Sequence, residues 1–508
     1  MDALADVFPN LYLGFSVALS LENLAYCFVG VFVGTVIGVL PGIGPLAAIA
    51  MLLPLTFNLN PVAALIMLSG IYYGTKYGGS TTAIMLKLPG ESASVVACLD
   101  GYEMAKQGRA GPALGMAAVA SFIAGSVGTV LIGMFGPPLA EVALLFGSPE
   151  YFSLMLFSLI GAAVLVHGSM VKALGMISLG LLFGIAGTDV NSGMSRLTFG
   201  VMGLADGVSF VVIAMGLFGF AEIVANLEQS SMSRDLLFQK VKNLWPTWTD
   251  FKRSWNPMMR GTAIGAFFGI LPGAGPTIAS FSAYTLEKKV SKNREHFGAG
   301  AIEGIASPEA ANNSASQCEF IPTLALGVPG SATMALILGA LTIQGIAPGP
   351  EVMTQRPDLF WGLIASMWIG NLMLLVLNLP LIGLWVKLLT VPYRVLFPAI
   401  MVFMAIGVYS VNNNTLDIHL ALLFGVLGYI FIKLECEPAP LILAVVLGPL
   451  MEENLRRALL ISRGDPSVFV TRPISAGFLI ATFLLLVVMI FPAIRRKREQ
   501  ATGEPARS

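Results

Sequence analysis

GTVIGVLPGIGP, Gly34 to Pro45, sits inside 53 residues, Asn23 to Thr75, that contain no Asp, Glu, Lys or Arg. A run that apolar reads as membrane-embedded, yet its centre carries four glycines and two prolines, the residues least suited to a helix interior. Further along, Gly265 to Pro276 reads GAFFGILPGAGP, identical at seven of the twelve positions and 231 residues later. The pattern predicts a helix broken at membrane depth, and one built twice.

Composition agrees with the membrane. Of 508 residues, 56% are hydrophobic and 11% charged, against about 25% charged in an ordinary soluble protein, and the mean hydropathy is +0.80. Taking about 20 residues per crossing, the charge-poor runs predict an all-α polytopic membrane protein of about 11–13 transmembrane segments, including re-entrant or broken hairpins. The first ten residues hold Asp2 and Asp6 and no basic residue, so they lack the n-region of a secretory signal and the first apolar run reads as mature protein. Cys27, Cys98, Cys318 and Cys436 are far apart and form no CxxC, which favours buried small hydrophobes over disulfides or zinc. His167, His296 and His419 are dispersed. Neither Gly-rich motif is followed by the Lys-Ser/Thr pair of a phosphate-binding loop, which disfavours ATP-driven transport by this chain.

Orientation follows from where the basic residues sit. Arg234, Lys240, Lys242, Lys252, Arg253 and Arg260 fill one loop, Lys288, Lys289, Lys292 and Arg294 another, and Arg495, Arg496, Lys497 and Arg498 open the tail. All three are placed in the cytoplasm. The second glycine-proline copy then enters and leaves from the cytoplasmic face, while the first, with no basic residue before Lys76, faces the other side. Segments related in this way are the mark of an inverted repeat. A second pair supports it: KLPGESAS from Lys87 and GVPGSAT from Gly327. The expected organisation is a first transmembrane repeat over 1–225, a cytoplasmic or interfacial linker over 226–257 with Trp245, Trp248 and Trp255 beside the membrane surface, a second repeat over 258–470, and a final span with a basic tail over 471–508.

Unwound backbone at membrane depth is tolerated only where protein or a watery cavity satisfies it, so the motifs mark a buried polar site or a hinge beside one. Freed N–H groups at half-helix starts suit carboxylates, and freed carbonyls suit sodium. The expected substrate-binding set is Gly42, Gly44, Gly79, Ser80, Thr81, Pro89, Gly90, Ser92, Gly273, Gly275, Asn312, Asn313, Ser314, Pro329, Gly330, Ser331 and Thr333, with sodium at Gly42, Gly44, Asn312, Asn313, Gly273 and Gly275. Lys76 and Lys87 bracket the first polar run and Glu319 follows the second. Lys87 is the candidate charge partner of an anionic substrate, against snorkelling to the interface or pairing with Glu91. No nucleophile with its base is evident, so no catalytic residue is expected.

GVLPGIGP, YYGTKYGGSTTAIMLKLPGESASVVACLDGYEMAKQGRAG, GILPGAGP, GAIEGIASPEAANNSASQCEFIPTLALGVPGSATMALILGALTIQGIAPGP and APLILAVVLGPLMEENLRRALLISRGD, in that order, closely resemble the large membrane subunit of the tripartite tricarboxylate transporters, the TctA family. The resemblance covers about residues 15–465. It implies a multi-pass secondary transporter of the bacterial inner membrane that imports a di- or tricarboxylate such as citrate. Its implied partners are a small membrane subunit of about four helices and a periplasmic substrate-binding protein. It also implies sodium or proton coupling without other cofactors, a paired site from the four motifs, and elevator-like alternating access. Two departures stand out: Lys87 occupies a position more often uncharged in the family, frequently Asn, and Gln317-Cys318-Glu319 interrupts the small-residue run after Asn313. The rival readings are a single-component carboxylate transporter, an intramembrane enzyme and a passive channel.

Overall fold

The computed structural model describes residues 7–40, 43–165, 169–189, 191–229, 243–271, 275–389 and 393–490. Its first part comprises helices α1 (Val7–Ala18), α2 (Leu21–Val39), α3 (Pro45–Leu52), α4 (Pro61–Leu86), α5 (Val95–Lys106), α6 (Ala110–Ala143), α7 (Ser148–Leu165) and α8 (Met170–Gly184). A two-stranded hairpin, β1 (Gly187–Thr188) and β2 (Ser195–Arg196), precedes α9 (Phe210–Ala214), a π-helical segment (Met215–Phe220) and α10 (Ala221–Gln229). Then come α11 (Trp248–Ile270), α12 (Gly275–Val290), α13 (Glu303–Cys318), α14 (Phe320–Ala325), α15 (Ala332–Ile343), α16 (Glu351–Gln355), α17 (Pro357–Asn378), α18 (Ile382–Leu388) and α19 (Tyr393–Asn412). The chain closes with α20 (Thr415–Lys433), α21 (Ala439–Ile461), α22 (Val468–Thr471) and α23 (Pro473–Ile490). The protein is an all-α polytopic membrane protein.

Among the described residues, four helices are long and apolar enough to cross a bilayer alone: α2, α6, α17 and α20. The charge-free runs suggested more crossings because many of them are split. Shorter apolar helices such as α3 with its 3-10 extension, α8 and α15 hold only 10–17 residues. α4 is 26 residues long but carries Lys76 and a string of hydroxyls, and every residue of α13 is buried although the helix is polar. Their polarity faces protein, not lipid, as backbone and side-chain dipoles in a membrane require.

Close helix packing explains the glycine spacing. A Cβ on Gly38 of α2 would lie 2.5 Å from the Thr75 Cα of α4, while Gly30 and Gly34 meet Met67 and Ile71 in the same way. On α11, Gly261, Gly265 and Gly269 meet Ser307, Ala311 and Ala315 of α13. The two helix pairs thus share one register, the small-residue packing expected where lipid supplies no hydrophobic drive between helices. α13 also packs on α6, and α17 packs on α4, so each half closes against a long helix of the other.

The backbone repeats as well. Leu40 and Leu271, which end α2 and α11 just before the breaks, have φ/ψ of −77/121° and −81/117°. Glu91 and Ser331, after the two Pro-Gly steps, have −150/168° and −152/171°. Lys87 and Gly327 are both left-handed, at φ 58° and 67°.

A second group of helices, α7, α8, α9 to α10, α20, α21 and α23, packs mainly within itself. It meets the first group where α3 touches the π segment and α15 touches α21. At one end of this group Arg196 bridges Asp189 at 2.7 Å and Glu452 at 3.0 Å, and Arg456 joins both. Hydrogen bonds from Ser192 and Arg196 hold the Asp189 carboxyl well below the usual carboxylate range. Helices α10 and α11 run into the two ends of the expected linker. There Trp245 and Trp248 are two-thirds exposed. Arg234, Lys240, Lys242 and the basic tail lie outside the described residues.

Replacing Gly38 by Ala forces the α2 backbone off α4 and is expected to destabilise by about 1–3 kcal/mol. Gly175 on α8 has open space around its Cβ position, so Gly175→Ala should be neutral or stabilising by up to about 1 kcal/mol. Thermal unfolding in detergent of the two variants checks the opposite signs.

Candidate functional site

The breaks in α2–α3 and α11–α12 and the two Pro-Gly turns open onto one cavity of about 380 Å³. Its wall includes Gly44, Pro45 and Leu46 at the start of α3, Gly275, Pro276 and Thr277 at the start of α12, and Ser331 and Thr333 at the start of α15. Gly90, Glu91 and Ser92 enter it at the 3-10 turn leading into α5. The facing wall comes from the other helix group: Leu217 and Phe218 of the π segment, Glu222 of α10, and Pro438, Ala439 and Pro440 at the start of α21. The starts of four helices and one 3-10 turn therefore border one space. A helix start has backbone N–H groups without intrahelical partners and a partial positive charge, and at α15 the Ser331 hydroxyl accepts one of them, from Met334.

One lysine stands in this wall. Lys76 Nζ lies 2.6 Å from Glu91 Oε2, with side-chain exposures of 4% and 7%, and 5.1 Å from the Tyr72 ring centroid. Asn312 Nδ2 donates to the other Glu91 oxygen at 3.0 Å. Tyr72 Oη donates to Glu319 Oε1, while Glu319 Oε2 and Asn312 Oδ1 are buried without a partner. Turn and helix meet here at backbone distance. A Cβ on Gly90 would collide with Gly79 of α4 and lie 3.0 Å from the Gly38 carbonyl oxygen of α2.

The expected site residues divide accordingly. Gly44, Gly90, Ser92, Gly275, Ser331 and Thr333 line the cavity, and Asn312 reaches it through Glu91. Gly79 backs Gly90, and Gly330 packs on Glu319. Ser80 donates to Glu309 Oε2 at 2.7 Å, Asn313 to Ser121 at 2.7 Å, and Ser314 to the Thr262 carbonyl at 2.9 Å. Thr81 lines a separate small chamber. Pro89 and Pro329 precede the turn glycines and are not part of the cavity wall. Gly42 and Gly273 lie outside the described residues.

Lys87 requires a correction. It is exposed, its ammonium sits 5.7 Å from the Tyr102 ring centroid, and it is not part of the cavity wall. It caps α4 in the left-handed region, where a β-carbon costs about 1–2 kcal/mol and Gly or Asn fits best. The lysine that does line the cavity is Lys76, paired with Glu91.

Residues that sequence reasoning missed are Tyr72, Thr277, Glu222 and the start of α21. Glu222 was detectable, since it is the one carboxylate in the apolar run from Gly207 to Leu227, and an ionisable residue in such a run is a functional candidate. Nothing in local sequence marks the others.

A family profile described as "Tripartite tricarboxylate transporter TctA family" matches residues 24–443. An uncharacterized 52.8 kDa protein from the TAR-I ttuC' 3' region of Agrobacterium vitis is 56% identical over 499 residues, covering 98% of this chain and 99% of its own. An uncharacterized protein from the TAR-II ttuC' 3' region of the same organism is 58% identical over 240 residues, 47% of this chain and 99% of its own. No solved structure matches the chain.

Lys87→Gly or Lys87→Asn is expected to raise stability by up to about 1 kcal/mol by relieving the left-handed cap, with substrate binding unaltered. Thermal unfolding together with a binding titration checks both halves of that statement.

Proposed function

The chain belongs to the tripartite tricarboxylate transporter TctA family, and we propose that it is the membrane subunit through which a di- or tricarboxylate, citrate-like in its charge, enters the cell. On this reading it is a multi-pass protein of the bacterial inner membrane and not an enzyme. It works with a small membrane subunit and a periplasmic binding protein, and a sodium or proton gradient drives it. One observation carries the proposal: four helix starts, the Glu91–Ser92 turn and Lys76 line a single cavity.

The chemistry follows from charge. N-terminal N–H groups bind carboxylate oxygens without a full counter-charge. The Ser92, Ser331 and Thr333 hydroxyls border the same space. Lys76 is already neutralised by Glu91, and Glu222 adds a carboxyl to the wall. An anion of two or three charges therefore enters a space with no net positive side chain. Binding a cation or proton together with the substrate offsets that repulsion, which supports coupled transport over a passive channel.

Movement has a physical basis too. The cavity lies between two helix groups that meet where α3 touches the π segment and α9, α15 touches α9 and α21, and α19 lies against both. Sliding of one group past the other would carry the broken hairpins across the membrane. With the basic loops on either side of α11 and α12 in the cytoplasm, the α11–α12 break would open to that side and the α2–α3 break to the opposite one, so the repeats would be inverted.

The test is uptake into proteoliposomes holding both membrane subunits, with purified binding protein, a panel of carboxylates, and sodium and proton gradients imposed separately. Expected are saturable uptake that needs the binding protein and collapses with one of the two gradients, and a loss of about tenfold or more in Lys76→Gln. Uptake that proceeds equally without binding protein would instead support a single-component carrier.

A further inference from the structure

Lys87 stands outside the substrate cavity, but not alone. On α5, Val95, Leu99, Tyr102 and Lys106 recur every three or four residues and so share one face. Val95, Leu99 and, just before the turn into α5, Leu88 are exposed. The other side of α5 is fixed to the protein. Asp100 Oδ1 accepts from the backbone N–H groups of Gly298, Gly300 and Ala301, Asp100 Oδ2 accepts from the Tyr284 hydroxyl at 3.0 Å, and Gln107 donates to the Ala299 carbonyl at 2.8 Å. These bonds tie the end of α5 to the loop that carries Lys292 and Arg294.

At that end two cations meet one ring. Lys106 Nζ lies 4.7 Å from the Tyr102 ring centroid and Lys87 Nζ 5.7 Å from it. Glu103 touches Lys106 in an exposed i, i+3 contact of 3.0 Å, a kind that contributes little, and Lys87 pairs with no carboxylate among the described residues. Lys87 also holds a left-handed backbone, at φ 58°, which glycine or asparagine adopts at less cost; an outlier of that kind supports a functional reading of its side chain. Below the cations the face is apolar. From Val95 to Tyr102 it rises about 10 Å, and Lys106 stands about 6 Å further on, against about 15 Å for half the hydrocarbon core of a bilayer.

We propose that this face of α5 binds an anionic phospholipid, with the phosphate at Lys87 and Lys106 beside Tyr102 and the acyl chains along Leu99, Val95 and Leu88. The order of groups along the face is that of the lipid: hydrocarbon, then an amphipathic ring, then charge of the opposite sign. A zwitterionic lipid offers the same phosphate but brings an ammonium group that the two lysines repel. A soluble anion would leave Leu88, Val95 and Leu99 in water. With the basic loops in the cytoplasm, the lipid belongs to the inner leaflet, where anionic headgroups attract basic residues beside the membrane. The proposal stands on this face alone and does not rest on the transport reading.

The experiment places the full-length protein in phosphatidylcholine vesicles and reads the site through Leu99→Trp, whose added indole fluorescence is the difference from the parent protein. Phosphatidylglycerol with brominated acyl chains should quench that indole at a lower mole fraction than brominated phosphatidylcholine does. Adding Lys87→Asn should cut the preference about fivefold, as loss of one basic residue at an anionic surface does, and Lys106→Gln should cut it again. Asparagine suits the left-handed cap, so preference lost while thermal stability is kept or raised is not a folding defect. Lys172→Gln, on α8 of the other helix group, should leave the quenching unchanged. Equal quenching by the two lipids, a preference that survives loss of both lysines, or an equal loss in Lys172→Gln would overturn the site. Quenching by neither lipid would overturn it too, since protein and not lipid would then cover this face.

Discussion

Backbone N–H groups that lose their helical partners inside a membrane have no water to turn to. This chain breaks its helices there at least four times, and the freed groups gather around one cavity. The glycine stripes make the gathering possible. Because α2 and α4 touch at backbone distance along Gly30, Gly34 and Gly38, the first Pro-Gly turn can lie in the angle between them, with Gly90 against Gly38 and Gly79. Any side chain at those positions would push the turn, and with it Glu91 and Ser92, out of the wall.

The two halves share backbone angles at the turns and a glycine register but differ in charge, and the difference gives the site its direction. Residues 67, 71 and 75 of α4 correspond through their glycine partners to 307, 311 and 315 of α13. Carried four residues on, the same correspondence sets Gly79 against Glu319, and the matched turn dihedrals set Glu91 against Ser331. In the first half the turn provides the carboxylate and the helix a glycine; in the second the helix provides it and the turn a serine. Both carboxylates fill the gap between helix and turn. Glu91 forms the ion pair with Lys76, while Glu319 takes the Tyr72 hydroxyl. A two-ended anion in the cavity would therefore meet two unlike ends.

Much of this was legible in the sequence because helix breakers in an apolar run have few explanations. Gly44, Gly90, Ser92, Gly275, Ser331 and Thr333 lay in or beside those breaks and all reached the cavity. Polar residues on unbroken helix were harder to place. Asn313 and Ser314 follow Asn312 directly, yet a helix turns about 100° per residue, and they bond Ser121 and the Thr262 carbonyl; Ser80, one turn beyond Lys76, bonds Glu309. Lys87 misled because an unusual residue next to a motif resembles a specificity determinant, whereas its position is governed by a left-handed φ that no composition reveals. Tyr72, Glu222 and the start of α21 reach the site from distant parts of the chain, and only tertiary packing brings them there.

The central claim is that the broken helices exist to hold an anion at their N-termini. An electron cryomicroscopy map of the membrane complex in lipid nanodiscs, with and without a transported carboxylate, tests it most directly. The account predicts substrate-dependent density beside Lys76, bounded by the first turns at Gly44, Ser92, Gly275 and Ser331. Density bound elsewhere, with this cavity unchanged between the two maps or filled by lipid tails, would contradict it.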